Sequence, residues 1–507
     1  MLKRLVVALV LTVCAIAATT QAMEIGTNFW DNRWVDSNQV FINKRNVTGD
    51  NPWNPVFLQE IDFYTMLRFM DWNGTNKSAR SEWSQRRQKS NKVQETTVAY
   101  EWMIDLCNKV NADMWTCIPH KTVGVNNDTK PCDYALRLAI LVKTGVDMKT
   151  VNLTGMYDNL SSMSAQQFIQ AGGVKTCEPL KSTQKLYVEY SNEIWNSSFK
   201  INKDSVAAGV DPMNGQYVYC AAKGYEKNLT LPPGIPRDSV TMGQAWTAWA
   251  SIRIFRSMEL VFGANSPRIV KVLPAYGENA PSTVKVQWDI VYTNASLNVW
   301  NIKPNVVAIA PYFGRSANGN QDSVIAWDSL LNSKNSGMYA ILKQIPNYYN
   351  YANNRGMKLV GYEGGQHMLE EPSKINYSPR MYTVYTEYLD SLDKYLTVFS
   401  HYVHQGNCGK TCYGAQKKTG DPLTINAAPK LKALYDWAQK HPVSNTIRPS
   451  ATPLHRAAPS SFTNAQAFDL HGRRIDAARV GASRVMLLRD EFGQVVPRLG
   501  GTLTRTR

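Results

Sequence analysis

Two carboxylates in matched contexts carry most of the chemistry this sequence can offer. The run Leu186 to Asn196, LYVEYSNEIWN, is apolar and β-prone at Leu186, Tyr187, Val188 and Tyr190, and it ends on Glu193, held between Asn192 and Trp195. A second run, Met357 to Gln366, MKLVGYEGGQ, carries a short strand over Lys358 to Tyr362 that ends on Glu363 and two glycines. Glycosidic bond cleavage generally takes two carboxyl groups, one to protonate the leaving oxygen and one to attack the sugar or activate water. In a parallel α/β barrel the reacting groups sit at the C-terminal ends of strands. Glu193 and Glu363 are therefore the candidate catalytic pair. Alone, either would read equally as a solvated loop residue or a charge at a helix N-terminus.

These motifs, together with LRFMDWNGTN at Leu67 to Asn76, resemble the clan of retaining glycoside hydrolases built on the TIM barrel, which includes many cellulases, mannanases and β-galactosidases. The resemblance covers about residues 24 to 440 and is to the clan rather than to one family within it. It implies Glu193 as acid/base at the end of strand four and Glu363 as nucleophile at the end of strand seven, with carboxyl groups about 5–5.5 Å apart. It further implies that Arg68 holds Glu363 ionised, that Asn192 binds the sugar 2-hydroxyl, that His120 binds substrate and that Tyr312 sits beside the nucleophile. Each has a plainer reading: an ion pair for Arg68, a surface histidine for His120, a packed ring for Tyr312. Trp72, Trp195 and His401, near the ends of strands two, four and eight, complete the candidate substrate-binding set. A flat apolar ring can cover the C–H face of a sugar, although most aromatic residues serve packing. The chemistry calls for no metal and no organic cofactor.

The elements that must position these groups read as an α/β fold, a (β/α)8 barrel with long loops and a small C-terminal β-rich module. Strands are expected over Glu24 to Trp30, Asp62 to Met70, Asp113 to Ile118, Leu186 to Tyr190, Arg268 to Leu273, Val306 to Ala310, Lys358 to Tyr362 and Thr397 to Val403. Helical patterns lie at Glu101 to Val110, Asp133 to Lys143, Ser164 to Ala171, Met242 to Phe262, Ser336 to Asn353 and Pro429 to Lys440. Asp31 to Pro55 reads as a loop, Thr75 to Thr97 as a polar excursion and Asn202 to Asp238 as a long insertion, where substrate choice would be shaped.

With 507 residues, 44% hydrophobic and 19% charged, the chain has ample core for one large barrel and an appendage. Residues 1–22 read as a signal peptide: Lys3 and Arg4 precede an apolar run, Leu5 to Ala18, too short to span a bilayer, and small residues lead to a cleavage point after Ala22. The expected organisation is then a barrel over 23–440, a Pro/Ser/Thr/Ala-rich linker over 441–466 and the module over 467–507. That module, with AFDLHGRRI and RVMLLRDEFGQVVPRL, resembles small C-terminal modules of secreted bacterial proteins, some of which serve export or surface sorting; an inert terminus is the plainer reading. The expected location is outside the cell or on its surface, with secretion or cell-surface machinery as a partner of the module.

The net charge of +16 would suit nucleic acid, but no basic run is interleaved with aromatics and no nucleic-acid motif occurs, so neither nucleic acid nor an integral membrane segment is expected as a partner of the mature chain. Residues 441–507 hold ten Arg, no Lys and four acidic residues; a general cationic surface is the preferred reading of this excess, and adhesion to acidic polymers or cell surfaces the sharper one. Seven cysteines follow Cys14, and Cys408 with Cys412 is the easiest bridge; a zinc site there is the alternative, and Cys107 and Cys117 read as buried thiols. The function these features point to is a secreted hydrolase of β-linked polysaccharide. A carbohydrate-binding or adhesion protein without turnover, on the same scaffold, is the alternative.

Overall fold

In the computed structural model eight parallel strands close into a barrel. They are β1 (Glu24–Asn28), β2 (Met66–Arg68), β3 (Asp113–Ile118), β4 (Leu186–Tyr190), β5 (Ile269–Pro274), β6 (Val306–Ile309), β7 (Lys358–Gly361) and β8 (Val398–His401). Each pairs with the next in sequence, and β8 closes on β1 with Glu24 opposite Val398 and Thr27 opposite His401. The structure describes residues 22–29, 40–231, 233–277, 281–320, 322–369, 373–406, 408 and 411–442, together with the backbone of four short strands beyond 466. The signal-peptide reading falls outside the described residues except for Ala22, and the linker reading except for His441 and Pro442.

Side chains alternate along a strand, so each barrel strand sends every second residue to the axis. Met66, Trp115, Tyr187, Val272, Val306 and Val360 form an apolar interior cluster, with Trp115 stacked on Tyr187 at 5.1 Å. Two residues further on, the same inward row turns polar with Asn28, Arg68, Glu189 and Ser400, all buried. Intervening residues such as Leu67, Val188, Leu273, Val307 and Leu359 face the helical shell in the larger core. The apolar rows stabilise the barrel; the polar row is the floor of its C-terminal end.

The long helix Ser239–Phe262 is buried nearly all round. Asp238 caps it by accepting from the Thr241 amide, and Gly263 ends it. Its outer side is covered by a second helix, Gln216–Lys227, inside the stretch that reads as an insertion. The contact is close because Gly224 lacks a Cβ, which would strike the Met242 carbonyl. Only Gln216, Tyr219, Cys220, Ala221 and Gly224 of that helix are buried, which is too thin an apolar stripe to announce a helix.

Several expected strand bounds shift by one to four residues, most at β2. β2 begins at Met66, because Asn54 caps a helix Pro55–Ile61 that runs into a turn where strand was expected from Asp62. β1 ends at Asn28. Cys408 and Cys412 are bonded, and Cys107, Cys117, Cys132, Cys177 and Cys220 are buried thiols. Two compact units divide the chain, Met1–Thr446 and Ile447–Arg507. In the second, Ala467–Phe468, Arg474–Ile475, Val485–Arg489 and Val495–Leu499 pair antiparallel in a four-stranded sheet. Among the described residues no helix is long and apolar enough to cross a membrane.

Candidate active site

The C-terminal ends of the strands surround a cleft of about 700 Å³ whose lining includes both Glu193 and Glu363. β4 stops at Tyr190, and the chain then turns sharply: Ser191 has φ 57° and Glu193 φ 41°, left-handed conformations that cost side-chain-bearing residues free energy. That turn lifts the Glu193 carboxyl into the cleft, where Asn196 Nδ2 donates to Oε2 at 2.9 Å and the Tyr362 hydroxyl donates to Oε1 at 3.3 Å. Trp195 and Asn192 line the same cleft.

Glu363 follows β7 and is 4% exposed. Its Oε1 accepts from Arg68 Nη1 at 2.7 Å and its Oε2 from the Tyr312 hydroxyl at 2.8 Å. Arg68 is fully buried and also donates from Nη1 to Asn28 Oδ1 at 3.0 Å and from Nη2 to Asn192 Oδ1 at 3.0 Å. Thus Arg68, Asn192, Tyr312 and both glutamates, read from the sequence as one site, do come together.

The charge balance of the pair follows from these contacts. Burial pushes the Glu363 carboxyl up, to about 8; the negative charge of Glu193 adds to the rise, while the Arg68 guanidinium and the Tyr312 hydroxyl oppose it. Burial also raises Glu193 above its ordinary range, against the pull of Asn196 and Tyr362. The Arg68 cation and the Tyr312 phenol favour the charged form of Glu363 against its burial, and Asn196 and Tyr362 do the same for Glu193. Both carboxyls line one cleft, Glu363 with a cation and a phenol on it and Glu193 with an amide and a phenol.

Three predicted binding residues belong elsewhere. Trp72 is 1% exposed and stacks on Phe29 at 4.8 Å within an aromatic core that includes Phe41 and Trp53. His120 is buried against Tyr219, its Nε2 3.4 Å from the Met213 carbonyl, and burial lowers it to about 4, so it is neutral. His401 is buried behind Gly365 with its ring against Tyr385 at 5.6 Å. None of the three lines the cleft. An indole or imidazole near a strand end suits a hydrophobic core as well as a sugar, and here the surrounding rings claimed them.

The structure adds residues that sequence reading passed over. Tyr362 and Asn196 hold Glu193; Tyr276, 6.3 Å from the Trp195 ring, lines the cleft on one side, and Tyr402, Tyr413 and His367 gather around Tyr312 on the other. Tyr362 and Asn196 lie within the two motifs, one residue before Glu363 and three after Glu193, which was the available signal. Among the described residues no group of three or more His, Cys, Asp or Glu could hold a metal ion.

No protein-family model matches the sequence, and a search of curated proteins finds no match. Among solved structures the chain is similar to an arabinofuranosidase of family GH51 from Xanthomonas axonopodis pv. citri, at 9% identity over 94% of this chain and 80% of that one, with a TM-score of 0.47. It is similar to an intracellular xylanase from Thermoanaerobacterium saccharolyticum, at 10% identity over 82% and 95% of the two chains, TM-score 0.37. A Cellulomonas fimi endo-β-1,4-mannanase double mutant shares 11% identity over 82% of this chain and 70% of its own, TM-score 0.37. Likeness of this degree decides nothing about chemistry, which rests on the residues of the cleft.

Proposed function

We propose that this protein is a secreted glycoside hydrolase that cleaves a β-linked polysaccharide by double displacement with retention. The observation that carries the reading is the asymmetric pair in one cleft: Glu363 held by Arg68 and Tyr312, Glu193 held by an amide and a phenol without a cation. In the first step the Glu363 carboxylate attacks the anomeric carbon as Glu193 gives its proton to the leaving oxygen, so that the glycosidic C–O bond breaks and a glycosyl ester forms. In the second, Glu193 takes a proton from water, the water oxygen attacks the anomeric carbon and Glu363 leaves. Asn192, fixed by Arg68 and lining the cleft, is placed to contact the sugar, and the Trp195 ring to cover its apolar face. Export rests on the leader-like residues 1–22.

The test is release of reducing ends from β-glucans, mannans, xylans and galactans by the protein and its Glu363→Ala variant. Cleavage by the parent, lost at least about 10³-fold in the variant, supports the reading, and the anomer first seen by NMR reports retention. A parent that binds one of these polymers and cleaves none is a carbohydrate-binding protein instead.

A further inference from the structure

Glu189 lies on β4, four residues before Glu193, and its side chain is 0% exposed. A buried carboxylate costs several kcal/mol unless it is paired and hydrogen-bonded. All of its partners meet one oxygen: Oε2 accepts from Arg68 Nε at 3.3 Å and Nη2 at 2.9 Å, from Trp115 Nε1 at 2.9 Å and from Cys117 Sγ at 3.4 Å. Among the described residues, Oε1 has no hydrogen-bond partner. A guanidinium is planar, with its donors in a fixed fork, so anchoring the Nε–Nη2 edge dictates where Nη1 points. It points at Glu363. The rings of Trp115 and Tyr362, 5.6 Å and 4.9 Å from the Arg68 carbon, close in on the guanidinium.

We infer that Glu189 is a positioning residue for the reaction: it anchors one edge of Arg68, aims the other at Glu363, and by its own charge limits how much of the Arg68 charge Glu363 feels. The inference takes from the proposed function only that Glu363 must be ionised to attack. Two consequences separate it from mere filling of the barrel. Loss of the anchor should misaim Arg68, and loss of the charge alone should make Glu363 give up its proton at lower pH.

Glu189→Gln isolates the charge. The amide oxygen can occupy the acceptor position, and the NH2 takes the place of an oxygen that has no partner, so shape and donors are kept. The other groups around Glu363 do not change: Glu193 beyond β4, Tyr312 beyond β6, Tyr362 beside it, Tyr402 and Tyr413 beyond β8, and the Cys117 thiol on β3. Glu193, which the Glu189 charge also raises, should move the same way.

The experiment is a pH titration of side-chain-carboxyl 13C-labelled glutamate by NMR in the parent and in Glu189→Gln, with Glu363→Gln to assign the resonance. Glu363 should titrate roughly one pH unit lower in Glu189→Gln; an unmoved titration overturns the inference. Glu189→Asp, which keeps the charge but withdraws it by a methylene, covers the case in which the glutamine variant fails to fold. It should lower kcat about 10–100-fold with KM little changed and the pH limbs in place, and a parent-like kcat overturns the anchoring role. Titration needs no turnover. A parent that cleaves nothing thus counts against the proposed hydrolase, while the Glu363 shift still decides the role of Glu189.

Discussion

In the proposed mechanism, a single proton shared by Glu193 and Glu363 makes the pair an acid and a nucleophile at once. Glu363 must be charged to attack, so activity is lost as pH falls far enough to add a second proton to the pair. Glu193 must be protonated to assist departure, so activity is lost again when the last proton leaves. Burial raises both groups, Glu363 to about 8. The expected pH profile of kcat/KM is a bell whose two limbs both lie above the ordinary carboxylate range. A profile already declining between pH 5 and 6 would contradict the charge arrangement described here. The Tyr312 hydroxyl contributes one of the two donors to Glu363. Tyr312→Phe removes it, so the acid limb should move to higher pH and kcat should fall about 10-fold, the usual scale of a lost hydrogen bond to a charged group.

At the scale of elements, the sites of both carboxylates are made by the way strands stop. β7 ends in Gly361, and beyond Glu363 the chain passes through Gly364 at φ 154° and Gly365 at φ 118°, conformations that side-chain-bearing residues rarely adopt. A Cβ on Gly364 would lie 2.7 Å from Phe399 Cε2, and one on Gly365 would meet the Tyr385 hydroxyl and the His401 ring. Gly365→Ala should therefore destabilise the protein by about 1–3 kcal/mol and lower kcat as Glu363 is pushed from Arg68; thermal unfolding and kinetics together check this. An alanine variant with parent melting temperature and rate would show that the turn tolerates a Cβ. The strand ends were legible in the sequence because β-prone runs such as LYVEY and KLVGY stop on a carboxylate. The direction of each neighbouring side chain was not. Trp72 lies four residues beyond β2, where no strand period says which way a ring turns, and it joined Phe29 and Trp53. His120 and His401 likewise turned into the shell. Glu189 did leave a signal: in a strand buried on both faces, a lone charged residue requires a partner. Arg68 met that requirement from two strands away, and such pairing across the barrel is set by closure rather than by local sequence.

For the whole molecule, the question is which properties belong to the barrel and which to the residues after it. Closure is complete by β8, and the helix Pro429–Lys440 is the last element of the barrel's shell. Among the described residues, none beyond it supplies a strand to the ring. Charge is distributed otherwise: residues 441–507 hold ten Arg against four acidic residues, +6 of the net +16. Opposite charges attract over about a Debye length, roughly 10 Å at 0.1 M salt, so an Arg excess of this size in the sequence favours contact with acidic polymers at low ionic strength and loses it as salt rises. A protein ending at residue 446 should keep the melting temperature of its barrel and its rate on a neutral polysaccharide. Retention on an immobilised acidic polysaccharide should weaken, with elution at lower salt than the full chain. Elution at the same salt would place the affinity on the cationic surface of the barrel, and loss of activity on truncation would mean that the cleft depends on residues 447–507. The two readouts thus assign catalysis and adhesion to separate parts of the chain, or refuse the separation.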